Sequence, residues 1–110
     1  MDKEQKRKIC GLIRRIMAAE AREIYLKYHP AKSNRKYLNI PNVVNIKGIK
    51  KQIIDFISED NIDLNPEAVK KYALRYLIEH EAIATVNPSY KVLRERIERG
   101  EYDFSFVLWK

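Results

Sequence analysis

A chain of 110 residues, 45% hydrophobic and 34% charged, fits one folded domain able to bury roughly two thirds of the surface its unfolded form exposes. This composition excludes a disordered tail, which would be poorer in Ile, Leu and Tyr, and no apolar run approaches the roughly 20 residues that cross a bilayer. The formal charge of +7 is split unevenly: residues 1–51 hold 14 Lys and Arg against 4 Asp and Glu, whereas residues 52–110 hold 8 against 11, so the first half is suited to meet an anion.

The first eight residues are charged and no signal-type apolar stretch follows, which implies an intracellular, cytoplasmic protein, nucleoid-associated if it binds DNA. From Lys3 to Tyr28, apolar residues recur as Ile9, Leu12, Ile13, Ile16, Met17, Ala21, Ile24, Tyr25 and Tyr28, the spacing of one long amphipathic helix. Its other face carries Arg7, Arg14, Arg15 and Arg22, a line of guanidinium groups about 20 Å long. Cys10 is the sole cysteine, so no internal disulfide or cysteine-based zinc site can form within one chain, and its place in the apolar stripe predicts a buried thiol.

His29 and Pro30 stop this helix, because the residue before a proline is pushed out of the α region. An irregular basic segment over residues 29–45 follows, with Lys32, Ser33, Asn34, Arg35, Lys36, Tyr37 and Pro41. A second helix is expected over residues 44–58, burying Ile46, Ile49, Ile53, Phe56 and Ile57. The third starts at Asn65 as N-cap, with Pro66 at the first helical position and Glu67 in the first turn. Its apolar set is Val69, Tyr72, Ala73, Tyr76 and Leu77, with Leu74 and Ile78 added.

Residues 82–86 read as a short strand broken by Asn87 and Pro88, and residues 90–99 as a helix capped by Gly100. The alternation of Tyr102, Phe104, Phe106 and Leu108 with Asp103 and Ser105 predicts a closing strand. Two strands alone are marginal, so this run either caps the core or offers, over residues 102–109, an edge for a homodimer. The expected fold is therefore mainly α, four helices with a small C-terminal two-stranded β element, arranged as a helical bundle or a degenerate winged helix in a single domain.

For chemistry, the first helix, the basic loop and Lys47, Lys50 and Lys51 combine cations that neutralise phosphates with Tyr37, which can stack on a base. The same stripe also serves as a plain solvated face. Glu59, Asp60 and Asp63, and the run Glu79, His80, Glu81, supply metal-ligating types, but neighbours on a helix diverge and no metal or nucleotide-loop spacing is present. Asp60 and Asp63 are expected in the turn before the third helix, and His29 and His80 at helix ends, serving backbone carbonyls. Tyr25, Tyr72 and Tyr76 fall on core stripes, whereas Tyr37 and Tyr90 are freer to meet a partner. No catalytic residue, cofactor or metal is implied.

The stretch IKGIKKQIIDFI, then NPEAVKKYALRYLIEHEAI and ATV, resembles winged-helix and helix-turn-helix DNA-binding domains over about residues 46–86. That likeness implies a recognition helix from which Lys70, Lys71 and Arg75 contact a groove or phosphates. The chain departs from the pattern in the short linker over residues 59–64 and in a helix standing where a wing loop would be. The expected function is non-catalytic nucleic-acid binding or nucleoprotein assembly, with DNA favoured over RNA by the resemblance and no membrane partner. The rival is a small adaptor whose basic half docks on an acidic protein or pairs with a neighbour's acidic half.

Overall fold

The computed structural model describes residues 2–28, 46–81 and 87–108. Four α-helices occur among them: α1 (Lys3–Tyr28), α2 (Ile46–Glu59), α3 (Pro66–His80) and α4 (Asn87–Glu98), followed by a 3₁₀ turn at Ser105–Leu108. The basic loop over 29–45, with His29, and the strand expected over 82–86 lie outside the described residues.

Local chemistry explains each boundary. Asp2 Oδ1 accepts from the Gln5 backbone N–H at 2.8 Å while Gln5 Oε1 accepts from the Asp2 N–H at 3.1 Å, a reciprocal cap on α1. At α3, the Asn65 side chain accepts from the Ala68 N–H at 2.8 Å, with Pro66 in the first turn as expected. α2 ends on Asn61 in the left-handed region (φ 50°), and the Ile62 N–H bonds back to the Ile57 carbonyl at 2.9 Å. Gly100, at φ 77°, closes α4 in the same way, with the Glu101 N–H on the Arg96 carbonyl at 2.8 Å.

One apolar core joins the elements, because α1 packs against α2, α3 and α4 together. It presents Ile9, Ile13, Ile16, Met17, Ala21 and Ile24, all buried. They meet Ile49, Ile53, Phe56 and Ile57 from α2, Val69, Ala73 and Leu77 from α3, and Leu93 and Ile97 from α4. Ile62 and Leu64 of the α2–α3 connection are buried too, which fastens that short turn to the core. Asp60 and Asp63 are exposed there, as expected.

Several expectations are corrected. The closing strand of the β element is absent: Phe104, Phe106 and Val107 are all buried, so the run is not a one-sided alternation. Asp103 turns the chain instead, its carboxylate accepting from the Ser105 N–H at 2.9 Å and the Ser105 hydroxyl at 2.6 Å, and a 3₁₀ turn packed on α2 and α3 follows. The edge proposed for a homodimer over residues 102–109 therefore loses its strand. α4 begins at Asn87 rather than at Tyr90, since a proline in a first turn lacks only an N–H that has no helical partner. Tyr90 is buried rather than free; its hydroxyl lies 3.2 Å from that of Tyr76, and burial pushes it above the ordinary phenol range. Tyr28, by contrast, is exposed.

Leu77 is fully buried among these helices, so Leu77→Ala is expected to destabilise the fold by about 2–5 kcal/mol, read from the midpoint of urea unfolding.

Candidate functional site

α1 is packed against three neighbours, and the strip of it opposite Ile9, Ile13 and Ile16 faces outward. Arg7, Arg14 and Arg15 stand on it, all exposed, with Lys8 beside them. α2 borders one side: Lys8 Nζ sits 4.6 Å from the Phe56 ring centre, and Arg15 donates to Gln52 Oε1 at 2.9 Å. α3 borders the other, with the Arg14 guanidinium 5.7 Å from the Tyr76 ring. Among the described residues, no carboxylate pairs with Arg7, Arg14 or Arg15. A neutral amide orients Arg15 and an aromatic face orients Arg14 without cancelling their charge.

Not every expected residue joins this ridge. Arg22 is half-buried, with its Nε enclosed without a hydrogen bond and its guanidinium 5.9 Å from the Tyr25 ring. Lys50 leaves by geometry: two residues along a helix project roughly 160° apart, and Gln52 faces Arg15. Lys50 accordingly lies over Phe106 at 5.2 Å and Tyr102 at 5.8 Å. Lys47 and Lys51 are exposed on the outer face of α2, and Lys51 is paired with Asp55 at 3.0 Å. On α3, Lys71 and Arg75 are exposed one turn apart, Arg75 paired with Glu79 at 3.2 Å, while Lys70 is half-buried on the side away from Tyr72. Lys32, Arg35, Lys36 and Tyr37 lie outside the described residues.

Between α1 and α3 runs a cleft of about 290 Å³. Lys6, Cys10, Ile13 and Arg14 line it from α1, and Tyr72, Arg75, Tyr76 and Glu79 from α3. Cys10 is thus half-exposed at the cleft rather than buried in the core. Sequence spacing put Tyr72 and Cys10 on apolar stripes; their position at the edge of those stripes was the only signal that they would border an opening.

A second concavity of about 280 Å³ lies where α1, α4 and the C-terminal segment meet, lined by Glu20, Glu23, Arg96 and Tyr102 among others. Burial raises the Glu20 carboxyl above its ordinary value; the neighbouring Tyr102 hydroxyl, which makes no hydrogen bond of normal geometry, and the Lys50 and Arg96 cations oppose this without cancelling it. Among the described residues no group of three or more His, Cys, Asp and Glu converges on a metal position. His80 is engaged as expected, Nδ1 donating to the Tyr76 carbonyl at 2.9 Å, and Glu81 pairs with Arg94 of α4. No described helix is long and apolar enough to cross a membrane.

A raised folded-state value means the folded protein holds the Glu20 proton more readily than the unfolded chain. Stability from this group is full below the ordinary 4.5 and is lost as pH rises through the raised value. Glu20→Gln should therefore raise the urea midpoint at pH 7, with the gain shrinking as pH falls towards 4.5, as a pH series of unfolding curves will read.

Comparison of the chain with protein-family models, with curated proteins and with solved structures yields no match.

Proposed function

We propose that this chain is a non-catalytic nucleic-acid-binding protein, with DNA the favoured polymer, that docks phosphates along the outward strip of α1. One observation carries the proposal: Arg7, Arg14 and Arg15 are exposed on a single strip, Arg15 held by Gln52 and Arg14 by the Tyr76 ring, with no carboxylate paired to any of the three among the described residues. Guanidinium groups so held need little further ordering to meet phosphate oxygens in fork geometry. Lys8 extends the strip, and Lys47, Lys71 and Arg75 on the flanking helices enlarge the field that steers a polyanion towards it. The segment over 29–45, with Lys32, Arg35, Lys36 and Tyr37, adds cations and one aromatic ring to the same half of the sequence.

Because α2 and α3 border α1 on both sides, the ridge lies against a phosphate backbone rather than entering a major groove roughly 12 Å wide. Binding of this kind is dominated by counterion release and depends steeply on salt. Fluorescence anisotropy with labelled DNA across a salt series tests it. The logarithm of the binding constant should fall linearly with log salt, and the variant R7A/R14A/R15A should lower that slope by about 2 to 3 units while its thermal unfolding stays close to wild type. An unchanged slope would move the contact elsewhere, and no binding at micromolar protein and low salt would remove the proposal and leave the acidic-protein adaptor.

A further inference from the structure

We infer that the cleft between α1 and α3 receives a single unstacked base, so that the nucleic acid bound is single-stranded rather than duplex. This rests on the phosphate-binding strip proposed above and adds a second, adjoining contact to it. Arg14 belongs to both: it stands on the outward strip and its guanidinium lies over the Tyr76 ring at the cleft wall.

The cleft combines what a flipped-out base requires. Its floor is apolar, from Ile13 and Cys10, and its rim is cationic, from Lys6, Arg14 and Arg75. Its volume of about 290 Å³ lies at the small end of ligand sites, which suits one ring system rather than a folded peptide. The two tyrosines differ in availability. Tyr76 is already engaged, with His80 at 4.3 Å from its ring, Arg14 over it and its hydroxyl against Tyr90. Tyr72 makes no ring contact or hydrogen bond among the described residues and is half-exposed, which leaves it as the stacking surface. Arg75, held by Glu79 Oε1 at 3.2 Å, keeps a planar guanidinium one turn from Tyr72.

Aromatic rings beside a cationic track are the common means of holding single strands, since every base has a face to stack and only an unpaired one can leave its partner. A duplex can reach the arginine strip with its phosphates but cannot fill the cleft without breaking a base pair. The chemistry thus favours single strands over duplex for the same set of phosphate contacts.

The decisive experiment measures affinity of the full chain for one labelled mixed-sequence DNA, as single strand and as annealed duplex, at equal salt. The single strand should bind at least about tenfold more tightly. Tyr72→Leu should weaken single-strand binding by about 5- to 150-fold, the loss of one stacked base, and leave duplex binding and the salt slope unchanged, while Tyr72→Phe keeps the preference. Alkylation of Cys10, the only cysteine, should slow in saturating single strand and not in duplex, a readout on the wild-type protein that needs no variant to fold. Equal or tighter duplex binding, or an unprotected Cys10 under saturating single strand, overturns the base-binding cleft while leaving the arginine strip standing; failure to bind either form removes both.

Discussion

Burial of α1 against three helices at once is the constraint on which the molecule turns. Ile9, Ile13, Ile16, Met17, Ala21 and Ile24 wrap more than one side of that helix, because α2, α3 and α4 each need part of its surface to cover their own apolar faces. A helix used in this way has little circumference left for water. Arg7, Arg14 and Arg15 therefore stand close together on the strip opposite the core, while Lys6, Glu20, Glu23 and Lys27 fall at the seams where α1 meets its neighbours. Concentrated charge on the strip is a by-product of packing as much as of charge count.

Much of this was legible in the sequence. The three-and-four spacing of α1, the Asn65-Pro66 start of α3 and the glycine stop at Gly100 each have a local cause that acts without distant contacts, and each appears where expected. Arg7, Arg14 and Arg15 were legible for the same reason: helix periodicity alone turns them away from Ile9, Ile13 and Ile16. Asp60 and Asp63 fell in the turn before α3 because short acidic residues between two amphipathic stretches have no core to enter.

What was not legible depended on which elements meet. The run from Tyr102 alternates as a strand does, yet a strand requires a partner, and the Asp103–Ser105 hydrogen bonds give the backbone a local alternative that delivers Phe104, Phe106 and Val107 to one core. Tyr90 looked free because α4 was expected to begin with it; three further residues of helix place it beside Tyr76 instead. Lys50 counted as one more outward cation until the C-terminal aromatic residues came under it. Arg22 stood in line with its neighbours by periodicity, but its surroundings half-enclose it.

The two concavities show how the same burial produces opposite chemistry at two seams of α1. Where α1 meets α4 and the C-terminal segment, a carboxylate has been drawn inward, and desolvation wins over the attraction of Lys50 and Arg96, so Glu20 sits above its ordinary proton affinity. Where α1 meets α3, the groups drawn to the edge are a thiol, two aromatic rings and guanidinium heads whose charge stays at the rim. The first seam mixes Glu20, Glu23 and Glu101 with Lys27 and Arg96; the second carries Lys6, Arg14 and Arg75, with Glu79 already holding Arg75. One helix thus borders two seams of different character, one with a carboxyl drawn inward and one with guanidinium heads left at the rim.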